Sequence, residues 1–360
     1  MRTVLARFRF PSTDVCARTE LYLRPLDDAR YSMETGQVHL GPAGVVEFST
    51  YFNAFSVGRW HRHTTLRHVA VAVQVSGSCR LEAVHQRLNR PPAVVACAEV
   101  APSEPSWVEL ALPPVEVLDE GAVFLRISSL DAAVTVGGGR WETPDQPPHP
   151  VRLGVVITTF NRNDHVKSNI DRLACALAES PSYLDRLEIL VVDNASNLEL
   201  HTGDDLPLTV VASTNTGGAG GFTRGLMHFR GRPDISHVLF MDDDVTFDAD
   251  IVFRTIQILS FARDPKLCIA GAMLTETTTT TEQFEAGGRF AKLAIYPTRA
   301  IGQGLDLLSW HDVQHAEHQD EDIDYGAWWY FAFPVDLTRE NPIPAFLRGD
   351  DVCWGLMHAG

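Results

Sequence analysis

Four prolines fall within the nine residues from Glu142 to Pro150, and the hydrophobic pattern differs on either side of them. Proline fixes φ and removes a backbone donor, so this stretch can extend neither a sheet nor a helix, and it divides the chain. Upstream, Val45–Phe52, His68–Val75 and Ala122–Ile127 alternate apolar with polar residues between Gly, Pro and Ser breaks. A period of two with frequent turn residues predicts an antiparallel β-sandwich or barrel over residues 1–145.

From Val151 onward the period changes. Leu153–Thr158 is a continuous apolar run of strand length, and Leu187–Asp193 and Val238–Met241 read as further strands, the first of them buried. Between them, Asn163–Ala178 places Val166, Ile170, Leu173 and Leu177 on one helical face. The segment after Gly221 and Ile251–Phe261 also read as helices. Strands alternating with helices predict a mainly parallel, doubly wound α/β sheet over residues 151–360. Such sheets bind ligands at the carboxyl ends of their strands. Thr158, Asp193 and Asp242 each stand at such an end. The threonine run 277–281 reads as a loop.

Composition narrows the function. A net charge of −16 disfavours nucleic acid as a partner, because a phosphate backbone would be repelled. No run of about 18 apolar residues offers a membrane span. The N-terminus alternates polar with apolar residues, lacks the apolar core of a signal peptide, and reads as the first strand of a cytosolic protein. The six cysteines form no CxxC pair and read as free thiols.

The chemistry gathers at strand ends. Val238-Leu-Phe-Met-Asp242-Asp243-Asp244 ends an apolar strand in three carboxylates that repel one another. A divalent cation resolves that repulsion. Asp242 and Asp244 are spaced to share one, and the cation can hold a diphosphate. This points to an enzyme acting on a nucleotide-activated substrate; a solvated turn is the plain alternative. Thr158-Thr-Phe160-Asn-Arg162 puts hydroxyls, an amide and a guanidinium ahead of a helix, where they suit a base or phosphate. An ordinary N-cap by Asn161 or Asn163 fits the same residues. Asp193 can accept from a uracil imide N–H, or it can close an Asx turn. Asn215-Thr-Gly217-Gly218-Ala-Gly-Gly reads as a glycine-rich loop open to close ligand approach. It lacks the Gly-Lys-Ser/Thr of a P-loop. Trp328 and Trp329 offer indole faces for a sugar, or core packing. Asp350 and Asp351 can supply a general base, or cap the last helix.

Taken in order, Thr-Thr-Phe-Asn-Arg, Asp193, the Gly-Gly-Ala-Gly-Gly-Phe segment, Met-Asp-Asp-Asp, Trp-Trp and Asp-Asp resemble the inverting nucleotide-sugar glycosyltransferases of GT-A fold. Within that family the chain resembles more closely still the polymerising galactofuranosyltransferases of mycobacterial galactan synthesis. Ser49–Phe55, Trp60–Thr65, Val73–Gly77 and Gly138–Trp141 resemble their N-terminal β-domain. The resemblance implies UDP-galactofuranose as donor and a growing glycan, free or lipid-linked, as acceptor. It implies Mn²⁺ or Mg²⁺ on Asp242 and Asp244, and transfer by one inverting displacement. Asp351 would be the base, with Asp350 beside it. The implied UDP- and substrate-binding set is Thr158, Phe160, Arg162, Asp193, Asn215, Gly217, Gly218, Asp243, Trp328 and Trp329. It further implies a cytoplasmic enzyme, peripheral at the inner membrane face, that forms a homo-oligomer in full-length form.

Two departures stand out. Gly349 precedes Asp350 where the resemblance leads us to expect Trp, which leaves the acceptor open. The family's further metal-ligand histidine and helical C-terminal region lie downstream of the Asp350–Asp351 helix, so the 360 residues read as a truncated chain with weakened metal binding and low activity. His358 is expected to face solvent. Two other functions fit the same residues: a related inverting transferase using another UDP- or dTDP-sugar, and a catalytically dead carbohydrate-binding protein.

Overall fold

A computed structural model describes residues 2–131, 133–200, 206–276, 281–285, 288–289, 299–300, 305–318, 323–337, 340–346 and 348–358. Residues 277–280 of the threonine run lie outside this set. The chain divides into two compact units, and residues 305–318 belong to the first although they lie far along the sequence.

The first unit pairs its strands antiparallel throughout. One sheet runs Ala29–Ser32, Gln37–Leu40, Val134–Thr143, Ala70–Ser76, Ser106–Ala111, with Thr3–Arg7 added to Val134–Thr143. The other runs Arg24–Leu26, Val45–Glu47, Ala122–Ser129, Cys79–Gln86, Ala93–Val100. The alternating residues seen in the sequence face inward, and the two sheets form a sandwich. Trp141 sits at the centre, 1% exposed, and its indole donates to the Asn53 carbonyl at 3.0 Å. Trp60 is buried and stacks on Phe55, so this aromatic is core.

The second unit holds the α/β sheet. Its strands are β1 (Leu153–Thr159), β2 (Leu187–Asp193), β3 (Leu208–Ala212), β4 (His237–Asp242), β5 (Ile269–Ala270) and β6 (Tyr330–Pro334). They lie side by side in the order β3-β2-β1-β4-β6-β5. The first four are parallel; β6 runs antiparallel to β4 and to β5. Helices α1 (Asn163–Glu179), α2 (Gly217–Arg230), α3 (Asp250–Ser260) and α4 (Asp350–His358) complete the unit. One apolar cluster joins α1 and α3 to one face of the sheet, and a second joins α2 and Trp354 of α4 to the other. The α1 stripe reads as expected, with Val166, Ile170, Leu173 and Leu177 all buried. Burial of both sheet faces explains the long apolar runs Leu153–Ile157 of β1 and Ile189–Val192 of β2.

The glycine-rich segment departs from the sequence reading. Gly217–Gly221 form the first turns of α2 rather than a loop. A Cβ on Gly221 would meet the Thr158 side chain at 2.2 Å, and one on Gly225 would meet Val156 at 2.2 Å. The glycines let α2 lie directly on β1. Gly217 starts the helix at φ +71°, in the left-handed region. Strand β6 was also not legible: its Tyr-Phe-Ala-Phe-Pro run shows no periodicity and follows an aromatic cluster.

Candidate active site

The strand order reverses at β1, since β2 and β3 extend to one side of it and β4 to the other. A sheet with this reversal opens a crevice at its carboxyl edge. Register fixes what stands there. Thr158 pairs with Asp242 on one side and Val192 on the other, and Thr159 pairs with Asp193. Because β6 is antiparallel and Tyr330 pairs with Met241, Trp328 and Trp329 arrive at the same edge.

The acidic triplet divides by depth. Asp242 is half-buried, Asp243 is 6% exposed and Asp244 faces solvent. Burial drives the Asp242 carboxyl up to about 7, and the charges of Asp244, Asp243, Asp350 and Asp351 push the same way. Asp350 and Asp351, over a hundred residues later in sequence, therefore stand in the field of the triplet. The two acidic clusters lie close enough to act on one another's charge. Burial also raises Asp243 and Asp350; Arg162 and the Thr159 hydroxyl oppose the rise at Asp243, and backbone N–H groups oppose it at Asp350.

Arg162 answers part of this charge. Its Nη1 donates to Asp243 at 3.1 Å and also to Asp244. The guanidinium expected to fork onto phosphate is thus paired with the triplet. The side chain of Asn169 donates to the Asp243 carbonyl at 3.0 Å. Sequence reading missed Asn169, yet it left a signal: a polar residue, 1% exposed, on the otherwise apolar stripe of α1.

The other predicted residues sort as follows. Asp193 accepts from the backbone N–H groups of Ala195, Asn197 and Leu198 at 2.7–2.9 Å, so it organises its own loop as an Asx-type turn. Asn215 accepts from Gly217 N at 3.0 Å and closes the start of α2. No side chain caps α1, so neither Asn161 nor Asn163 plays that part. Phe160 is 48% exposed at the end of β1. Gly218 lies in the first turn of α2, and its nearest outside neighbour is the Asp350 carboxylate. Asp351 accepts from Val352 N at 2.8 Å.

Two expectations need correcting. Trp328 does not offer an open stacking face: it is 4% exposed, with Phe222 and Phe240 at 5.2 and 5.0 Å, because the helix face opposite needs a large apolar filler. Trp329 is half-buried, and its indole donates to the Gly271 carbonyl at 2.8 Å. His358 is half-buried rather than solvent-facing; its ring lies 4.4 Å from that of Trp354, and Nδ1 lies 2.8 Å from the Trp354 carbonyl.

Buried polar atoms at this edge, Thr158 Oγ1, Asn194 Oδ1 and Trp328 Nε1 among them, have no hydrogen-bond partner among the described residues. Leaving such a group unpaired costs about 1–3 kcal/mol, and sites that bind ligands are where folds retain that cost. The carboxylate oxygens are hard donors suited to Mg²⁺ or Mn²⁺. Among the described residues no three His, Cys, Asp or Glu side chains are arranged to hold an ion unaided. A cation here would fit between one or two carboxylates and phosphate oxygens, the ordinary arrangement for Mg²⁺.

Residues 154–297 match the glycosyl transferase family 2 model. Residues 5–144 match the N-terminal model of galactofuranosyltransferase 2. Curated relatives agree. The chain is 26% identical over 361 residues to galactofuranosyltransferase GlfT2 of Mycobacterium tuberculosis, covering 89% of this chain and 53% of the relative. It is 26% identical over 341 residues to GlfT2 of Mycolicibacterium smegmatis, covering 89% and 52%. The chain spans about half the length of these relatives. Among solved structures, a mannosyltransferase from Pyrobaculum calidifontis in complex with GDP-Man and Mn²⁺ is 18% identical over 58% of this chain and 51% of its own, with a TM-score of 0.37, too partial a likeness to build on. No helix among the described residues is long and apolar enough to cross a membrane.

Proposed function

We propose that the protein transfers galactofuranose from UDP-galactofuranose to a hydroxyl of a growing galactan-type glycan, with inversion and with the help of a divalent cation. One observation carries this reading: Asp242 stands in the field of its triplet neighbours and of the Asp350–Asp351 pair, at the carboxyl edge where it pairs with Thr158 of β1. Asp242 and Asp244 would hold Mg²⁺ or Mn²⁺, which when bound supplies charge neutralisation for the departing diphosphate. Arg162, already at the triplet, is positioned to exchange a carboxylate for a phosphate oxygen. Exposed Phe160 gives the uracil a face to stack on, and Thr158 and Asn194 have polar atoms left for the donor.

On the acceptor side, Asp351 takes the proton of the attacking hydroxyl while that oxygen bonds to the anomeric carbon and UDP leaves from the opposite face. Asp350 stands beside it. Burial raises its pKa, whereas the family pattern favours Asp351 as the base. Mass spectrometry of products from UDP-galactofuranose and a short galactofuranosyl acceptor tests the reaction. A product extended by one hexose, lost with EDTA and restored by Mn²⁺, is the expected result. Extension with another UDP- or dTDP-sugar but not UDP-galactofuranose would replace the donor, and UDP binding with no transfer from any donor would overturn the enzyme reading.

A further inference from the structure

The helix Trp310–His318 packs within the first unit. The Trp310 indole donates to Gln86 Oε1 at 3.1 Å, and its ring meets Phe124 edge-on at 5.5 Å. Arg24 donates to the Leu308 carbonyl at 2.6 Å, and Arg59 donates to the Ala316 carbonyl. The helix is thus held at both ends.

On it, His311 and His315 lie four residues apart, with ring centroids 4.6 Å from each other. That spacing puts both imidazoles on one helical face, within reach of a single ion. His311 Nδ1 lies 3.2 Å from Asp312 Oδ1. A hydrogen bond there requires the proton on Nδ1 and leaves the Nε2 lone pair outward. Asp312 is fixed in turn, since Oδ2 accepts from Asp306 N at 3.0 Å. A carboxylate orienting a ligating imidazole is the usual outer support of a histidine–metal bond. The His311 side chain is 66% exposed, so an ion has access.

We infer that His311 and His315 form a two-histidine site for a borderline transition-metal ion, Zn²⁺, Ni²⁺ or Cu²⁺, with Asp312 as its orienting carboxylate. Imidazole suits these ions, whereas Mg²⁺ and Mn²⁺ prefer oxygen. Ligand chemistry therefore separates this site from the acidic one. No third His, Cys, Asp or Glu completes the set among the described residues, so water fills the remaining positions. Chelation across one turn clips the helix in its docked form.

The test is a titration of the whole chain with ZnCl₂ in saturating Mg²⁺, paired with Cu²⁺ electron paramagnetic resonance. One Zn²⁺ site is expected to weaken by at least about tenfold in His311→Ala and in His315→Gln, and by a smaller factor in Asp312→Asn. Asp242→Asn should leave it unchanged, and the copper spectrum should show two nitrogen ligands that fall to one in either histidine variant. His311 is largely exposed, so its replacement spares the fold; matching far-ultraviolet circular dichroism verifies this. Zn²⁺ affinity indifferent to both histidine substitutions, or a copper spectrum without paired nitrogens, overturns the site.

Discussion

The Asp350 carboxylate stands 3.5 Å from the point where a Cβ would leave Gly218, the second residue of α2. That is ordinary van der Waals contact, so the base end of the site rests on the opening turn of the glycine-rich helix. By contrast, a Cβ on Gly221 would lie 2.2 Å from Thr158. Gly218→Ala should therefore keep the thermal midpoint within a few degrees of wild type. Gly221→Ala should lose about 1–3 kcal/mol by forcing α2 off β1. Paired thermal melts decide this, and equal losses would contradict the packing argument.

Crowding at Asp242 sets function against stability. Five carboxylates share this region, with Arg162 paired to two of them. Asp242→Asn removes one charge from a half-buried place and should raise stability by about 1 kcal/mol at neutral pH. Cation-dependent UDP binding should fall by at least about tenfold in the same variant. Denaturant melts and calorimetry read the two effects separately; lower stability in the variant would mean that the carboxylate is satisfied as it stands.

Replacing the base should act on chemistry alone. Asp351→Asn is expected to lower kcat by about 10²–10⁴ with little change in UDP affinity. If Asp350→Asn causes the larger loss, the base is the neighbour that burial favours, and the assignments exchange.

His237, at the start of β4, gives a pH signature of its own. Burial depresses its pKa from 6.5 to about 4; His149 adds to the drop and Asp336 opposes it. The folded state thus binds fewer protons than the unfolded chain between these values. The stability it contributes is full above about 6.5 and fades as pH falls toward 4. The shift corresponds to about 3 kcal/mol. His237→Gln should flatten that part of the acid profile measured by denaturant unfolding, while an unchanged slope would show that the ring protonates freely in the native protein.

Much of this protein was legible as pattern. The prolines at 142–150, the period of two before them and the strand–helix alternation after them follow from burial on one face or two. The Asp triplet, Thr158 and Asp193 stood out because polar residues end apolar runs. The structure gave Asp193 and Asp243 definite partners and left the Thr158 hydroxyl without one among the described residues. Asp193 turned to its own loop, Arg162 to the triplet, and Trp328 into the core.

What the sequence by itself determined is the local periodicity: which segments are strands or helices, and which residues stand at strand ends. Only the tertiary structure decided which ends meet. Strand order is set by long-range pairing and helix packing, and no local signal encodes it. The β3-β2-β1-β4-β6-β5 order brought Asp242 beside Thr158, and packing of α2 and α4 on the sheet carried Asp350 and Asp351 to the same edge. The glycines of α2 illustrate the difference: in sequence they read as freedom for a loop, and in the fold they are closeness between a helix and a strand.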